Sequence, residues 1–396
     1  MTTLFVQLIA SIQPITYLPK TMREESTTDK NPSEKEKPNP QFYDMIVFCH
    51  LRWQFVYQRP QHIVSRLAVS RKVLFIEEPI FHHDNDGKNA NLQIITDTLH
   101  ILQPRVNSIA EIATILPSYI SNEKVELGWF YSASFVPLLK ALKFDTIVYD
   151  CMDELTLFKN APQELIELES DLLSKADVVF TGGKSLYESK SLLHKNVSCF
   201  PSSVDREHFA KATNGIDLPQ DISGIPQPIV GYFGVIDERL DFDLISKVAR
   251  LRPNISFVMI GPLAKVTEEE LPRNTNIFYL GMKEYATLPG YLKAFSIAMM
   301  PFALNDATKF ISPTKTLEYM AAGKPIISTP VKDVVRDYSG TVKIVNNPSE
   351  FIQAIDTVLS DKNKLSMDHV YENILEKTSW NNTVSQMEII LKSSKS

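Results

Sequence analysis

FISPTKTLEYMAAGKPIISTP, residues 310–330, reads as one complete helix-to-strand unit. Ser312 is an N-cap residue type, and Pro313 suits the first helical position, where a missing N–H costs nothing. Leu317, Met320 and Ala321 share one helical face, Gly323 supplies the stop, and PIIST is a short apolar run of the kind buried in a parallel sheet. This spacing makes Lys315 the third helical residue, in a first turn where the backbone dipole disfavours a cation. Unpaired N–H groups there already form an anion site, so Lys315 makes sense beside a phosphate or diphosphate. Glu318 projects from nearly the same face, and a carboxylate accepts two hydrogen bonds from a sugar diol such as a ribose. The alternative is a solvated Lys315–Glu318 pair worth a few tenths of a kcal/mol.

The same alternation of apolar runs and amphipathic segments extends in both directions. Towards the N-terminus come MIVFCH (45–50), KVLFIEE (72–78), LGWFY (127–131), TIVYDCMD (146–153), DVVFTGG (177–183) and SCFPSS (198–203). A second series runs PIVGYFGVID (228–237), ISFVMIG (255–261), NIFYLG (276–281), SIAMMPF (296–302), PIISTP (325–330) and TVKIVN (341–346). Between the series, KATNGIDLPQDISGIPQP (211–228) is rich in Gly, Pro and Asp and marks a domain boundary. The fold class expected is α/β, with two Rossmann-like doubly wound domains and ligands at the strand C-termini facing the cleft between them. The expected divisions are an N-terminal extension over 1–42, domains over 43–210 and 211–378, and a C-terminal helix over 379–396, able to pack on either domain. Residues 20–41 are charged, Pro-containing and nearly free of apolar side chains, so they read as a tail or linker.

Composition excludes several classes. The formal net charge is -6, and the Lys and Arg residues are spread out, so the chain carries no nucleic-acid footprint. Three separated cysteines indicate neither a disulfide framework nor a zinc site and fit a reducing cytoplasm. The apolar start, MTTLFVQLIASIQPITYLPK, lacks a basic flank and is interrupted by Gln7, Gln13 and Pro14, which argues against a signal peptide or a bilayer span and leaves a membrane-surface element or a bare extension. The eight histidines show no metal-ligand spacing, and no metal or other cofactor is expected. Asp241-Phe242-Asp243 imitates a D-x-D metal motif but opens a helix, where acids are favoured without a metal. FTGGKS (180–185) imitates a phosphate loop, yet Val178 stands where that pattern needs Gly. It reads as a tight strand-to-helix turn.

The first domain offers two further groups. HLRWQFVYQRP (50–60) follows the first strand and presents His50, Arg52, Trp53, Gln58 and Arg59 to the cleft. Gln58 and Arg59 suit donor phosphate or acceptor hydroxyls; of the two aromatics, Trp53 is favoured as a sugar contact and Tyr57 as a buried residue. At the end of VYDCMDE, Asp153 is the first choice for a carboxylate that takes or orients the acceptor hydroxyl proton, with Asp150 or Glu154 behind it. The alternative for these acids is capping of the next helix.

SPTKTLEYMAAGKPIIST resembles the donor-binding segment of GT-B glycosyltransferases, where a Pro/Lys-containing loop is followed by E-x-x-A-x-G-x-P. Residues 45–68, 149–158, 176–190, 200–209 and 231–241 are similar to a bacterial group related to glycosyltransferase family 4 and associated with surface polysaccharides. The resemblance implies a nucleotide-diphosphate sugar donor, a glycan or lipid-linked acceptor, and a cytoplasmic setting that extends to the inner membrane face for a lipid-linked acceptor. It implies that Glu318 binds the ribose, Lys315 and Arg239 the diphosphate, and Ser312 to Thr314 the base. Arg239 follows strand GYFGVID, and its planar fork suits a diphosphate; the local alternative is an ion pair with Asp237 or Asp241. Phe310 departs from the pattern, since many retaining relatives keep a glutamate there. The same fold also hosts nucleotide-sugar epimerases, and a homologue that binds without catalysis is the rival from another class.

Overall fold

The computed structural model describes residues 39–80, 89–213, 215–360 and 367–393. Residues 1–38 of the predicted extension lie outside them, while Gln41 already bridges to Ile120 of the first domain.

Twelve apolar runs become strands; the central ones are buried on both faces, while Val197–Cys199, Ile277–Gly281 and Lys343–Ile344 at the sheet edges are only partly covered. In the first sheet these are β1 (Met45–Cys49), β2 (Val73–Glu77), β5 (Val125–Phe130), β6 (Phe144–Cys151), β7 (Val178–Thr181) and β8 (Val197–Cys199), joined by β3 (Ala90–Thr96) and β4 (Leu99–Pro104). The order is β3-β4-β2-β1-β5-β6-β7-β8, parallel throughout except for β3. The second sheet is wholly parallel, ordered β11-β10-β9-β12-β13-β14, from β9 (Ile229–Phe233), β10 (Ser256–Ile260), β11 (Ile277–Gly281), β12 (Ile297–Met300), β13 (Ile326–Ser328) and β14 (Lys343–Ile344).

Along β1, Ile46 and Phe48 enter one apolar core while Met45, Val47 and Cys49 enter another, as the period-two alternation of a strand requires. Helices therefore cover both faces of this sheet, which pushes ligands to its edges and strand ends. The helix Trp380–Ser393 answers the open question of its partner. Trp380, Val384, Met387 and Leu391 pack on the first domain, and Arg71 pairs with Glu388 at 2.5 Å. Among the described residues, no helix is long and apolar enough to cross a membrane.

Two boundaries differ from expectation. Val204, Phe209 and Ala212 already belong to the core of the second sheet, so the chain crosses between domains before residue 204, not at 211–228. The Gly- and Pro-rich segment is a surface excursion anchored by buried Ile222, and composition registered its turns rather than the crossing. The helix of the opening stretch spans Lys315–Ala321, with Thr314 as its N-cap residue. Ser312 and Pro313 precede it in a tighter turn in which Pro313 O accepts from Thr316 N–H at 3.2 Å. Lys315 is thus the first helical residue, not the third.

Candidate functional site

The C-terminal ends of both sheets face a cleft of about 340 Å³. The loop after β1 supplies Trp53 to Arg59, the end of β6 supplies Asp153, and the second domain supplies Gly234, Arg239, Tyr285, Ser312 to Lys315 and Glu318. These are the carboxyl edges of central strands, where a doubly wound sheet leaves room for a ligand.

Lys315 and Glu318 come together on one helix end facing this space. The Lys315 side chain runs across Gly234, where an added Cβ would lie 2.0 Å from its Cε. Gly234 has φ +141°, a conformation L side chains rarely adopt, so the end of β9 keeps the lysine's path open. The ammonium stands 5.9 Å over the Phe233 ring, and among the described residues no carboxylate reaches it at ion-pair distance. Burial lowers its pKa, with Glu318 opposing that shift. Glu318 is 8% exposed, and burial pushes its carboxyl up to about 7 against the pull of Lys315. Among the described residues its carboxylate has no hydrogen-bond partner. The solvated surface pair is therefore not the arrangement found: Glu318 is buried and Lys315 half-buried at the cleft, and neither is paired with the other or with another charged group of the described residues.

Arg239 follows its local alternative and still lines the cleft. Its Nε lies 3.0 Å from both Asp237 oxygens and its Nη2 lies 2.7 Å from Oδ2. Burial disfavours its charge, and Asp237 more than offsets this, raising the pKa. Asp153 sits in the loop beyond β6, beside Arg239, Lys265 and Lys315. Burial raises its pKa, and Arg239 draws it back most strongly. A carboxyl so placed is a proton acceptor with a basicity above that of a free aspartate.

Arg59 lines the cleft but is committed to Asp150, which does not. Asp150 is fully buried, and the Arg59 guanidinium grips it through Nη2 at 2.8 Å and Nε at 3.1 Å while Nη1 donates to Phe200 O at 2.6 Å. Burial raises the Asp150 pKa and Arg59 lowers it. The two neutralise each other, with Arg59 at the cleft and Asp150 buried behind it, joining the first helix to β6. Neither has the uncommitted groups that a phosphate contact or a general base needs.

The remaining loop residues divide. Trp53 and Gln58 line the cleft; the Trp53 ring meets Phe75 edge-on at 5.1 Å, and the Gln58 N–H donates to Gln61 Oε1 at 3.1 Å at the helix start. Tyr57, expected to be buried, is half-buried, lines the cleft and lies 4.7 Å from the Tyr285 ring of the second domain. Arg52 turns away to Glu77 at 3.2 Å. His50 does not line the cleft; burial lowers its pKa to about 4, Lys265 adds to this, and its buried Nδ1 has no protein partner among the described residues.

Asp241 caps the helix Phe242–Leu251, accepting from Leu244 N–H at 2.8 Å. FTGGKS is the strand-to-helix turn expected, and its buried Ser185 hydroxyl donates to Asp333 of the second domain at 2.5 Å. Phe310 packs against a core of the first domain, outside the cleft. Gly234, Lys265 and Tyr285 were not singled out from the sequence: their positions depend on the approach of two loops or two domains, which periodicity does not encode.

Residues 227–361 match the family model described as Glycosyl transferases group 1. The chain has the GT-B fold, and its second domain matches that glycosyltransferase family. It is 25% identical over 302 residues to TuaH of Bacillus subtilis (strain 168), provisionally named a teichuronic acid biosynthesis glycosyltransferase; the match spans 71% of this chain and 74% of that protein. Among solved structures, the chain is similar to sucrose-phosphate synthase of Thermosynechococcus elongatus, with TM-score 0.65 and 14% identity over 88% of this chain and 98% of that one. It is likewise similar to the UDP-forming α,α-trehalose-phosphate synthase of Burkholderia vietnamiensis, with TM-score 0.63 and 13% identity over 89% and 99%. Anabaena Alr3699/HepE, solved with UDP and glucose, aligns with TM-score 0.60 and 12% identity over 89% and 100%. At these identities the structural likeness concerns the fold.

Proposed function

We propose that this protein is a glycosyltransferase that moves a sugar from a nucleoside-diphosphate sugar, held by the second domain, to a glycan or lipid-linked acceptor held by the first, in the synthesis of a bacterial surface polysaccharide. The observation that carries the donor half is the unpaired placement of buried Glu318 and half-buried Lys315 on one helix end at the cleft. Removing two charges partly from water without a protein partner carries a cost that a ligand able to pair with them offsets. A diphosphate suits Lys315 and the Arg239 fork, and a ribose diol suits Glu318. The names of TuaH and of the UDP-bound HepE structure favour the polysaccharide setting and a nucleotide donor.

In this reading the acceptor oxygen bonds to the anomeric carbon as the bond from that carbon to the diphosphate oxygen breaks with its electron pair. Asp153 takes the acceptor proton, and the nucleoside diphosphate departs against Lys315 and Arg239. Fixed cations aimed at the growing negative charge do the electrostatic work, and we propose that no metal is required. A lipid-linked acceptor would bring the enzyme to the inner membrane face. The test is calorimetric titration with uridine, guanosine and adenosine diphosphates: the parent binds one of them, and Lys315→Ala and Glu318→Ala bind it more weakly. Equal affinity in both variants would overturn the donor site. Turnover of a sugar nucleotide that persists in Asp153→Asn would remove that carboxylate from the chemistry, and turnover lost in a chelator and restored by a divalent cation would refute metal independence.

A further inference from the structure

The loop leaving β6 carries Asp153 at its start and crosses to the second domain a few residues later. Its beginning is pinned from below, where Glu154 Oε2 lies 2.7 Å from Lys190 Nζ, itself 2% exposed, and Oε1 accepts from Thr156 Oγ1 at 2.9 Å. Its far end is held by the other domain, where Lys159 N–H donates to Glu238 Oε1 at 3.0 Å and Asn160 turns the chain with φ 64°. Between these anchors the Phe158 ring sits against two cations of the second domain. Lys265 Nζ is 4.2 Å from its centroid and Arg239 Cζ 5.6 Å. Both cations are held from the other side as well. Arg239 is gripped by Asp237, and Lys265, whose backbone adopts the left-handed φ of 59°, lies 3.7 Å from Glu238.

We infer that Phe158 is a positioning residue: its ring fixes the Arg239 guanidinium for the donor diphosphate and ties that cation to the loop bearing Asp153. This rests on the donor site proposed above. Asp237 occupies Nε and Nη2 of Arg239, and Phe158 faces the guanidinium, which leaves Nη1 as the nitrogen with no protein acceptor among the described residues. A planar fork restrained by both a carboxylate and a ring loses little freedom when an anion binds, and preorganisation of that kind appears as affinity. Cation–π attraction needs the ring face, so an aliphatic side chain of similar volume does not replace it. The donor domain and the proposed proton acceptor are thereby joined through one aromatic ring.

The test uses the full chain and whichever of uridine, guanosine or adenosine diphosphate binds the parent most tightly. Phe158→Leu is expected to weaken that binding about tenfold, and Phe158→Tyr to stay within about twofold of the parent, since it keeps the ring face. In an Arg239→Lys background, Phe158→Leu is expected to add little further loss, because the partner it orders is already gone. Melting temperatures of the apo variants show that each is folded. Parent-like affinity in Phe158→Leu, or losses that simply add with those of Arg239→Lys, would overturn the inference. Should the parent bind none of the three nucleotides, the donor site fails first and this inference with it, an outcome distinct from a failure at Phe158 alone.

Discussion

Replacing Glu318 by glutamine is expected to stabilise the apo protein in a pH-dependent way. The carboxyl is 8% exposed, and burial raises its pKa from 4.5 to about 7. A folded pKa above the unfolded one means that the native state holds the extra proton between those values. The contribution of Glu318 to stability is therefore fully present below about pH 4.5, falls as pH rises, and reaches its floor above about pH 7. The difference, 7 minus 4.5, corresponds to roughly 3 kcal/mol at about 1.36 kcal/mol per pKa unit. Glutamine keeps the shape without the charge and does not titrate. Urea denaturation of parent and Glu318→Gln at pH 4.5 and pH 8 gives the measurement, because every other titrating group, including buried Glu78, cancels in the difference between the two proteins. The variant should gain on the parent by about 2–3 kcal/mol between the two pH values. A difference that does not change with pH would refute the burial argument. Nucleoside diphosphate binding by the parent should strengthen as pH rises through about 7, where the carboxylate that accepts the ribose hydroxyls forms.

Three further outcomes follow from the same cleft. Lys315→Met should weaken nucleoside diphosphate binding about 10- to 100-fold, the worth of a hydrogen bond to a charged group, while the apo melting temperature holds or rises because a desolvated cation is gone; a fall in melting temperature with unchanged affinity would contradict this. Asp150→Asn leaves the Arg59 guanidinium buried without its counter-charge and should cost about 3–5 kcal/mol in denaturant unfolding; a loss under about 1 kcal/mol would show that the pair is not structural. Gly234→Ala places a Cβ on the Lys315 side chain at a strained φ, and should both destabilise the fold by about 1–3 kcal/mol and weaken nucleotide binding; unaltered calorimetry would remove the steric argument.

Strands buried on both faces were legible because each is a continuous apolar run, as in MIVFC and IAMM. The β3–β4 hairpin was not, since Ile94 and Ile95 are exposed at the sheet edge and polar residues interrupt the run. The helix at Lys315 was legible in kind, while its first turn was displaced because Ser312 and Pro313 satisfy capping statistics without entering the helix. Lys315 and Glu318 could be paired from helical spacing alone. Arg59 and Asp150, 91 positions apart, meet only through the sheet, so their mutual commitment left no local signal. The same holds for Phe158, whose partners both lie in the other domain.

The ionisable groups of the cleft fall into two sets, and desolvation explains the division. Arg59 with Asp150, and Arg239 with Asp237, each satisfy charge with charge inside the protein, which is how a buried ion pair avoids most of its penalty. Glu318 is buried and Lys315 half-buried on the same helix end, yet they stand too far apart for such a pair, so each retains a cost that the fold does not repay. That cost opposes folding in the apo state, as the glutamine and methionine variants would reveal. It is recovered only when a ligand carries an anion for the lysine and hydroxyl donors for the carboxylate. A nucleoside diphosphate carries both, with its phosphate and ribose joined through adjacent atoms, which matches a cation and a carboxylate set three residues apart on a helix.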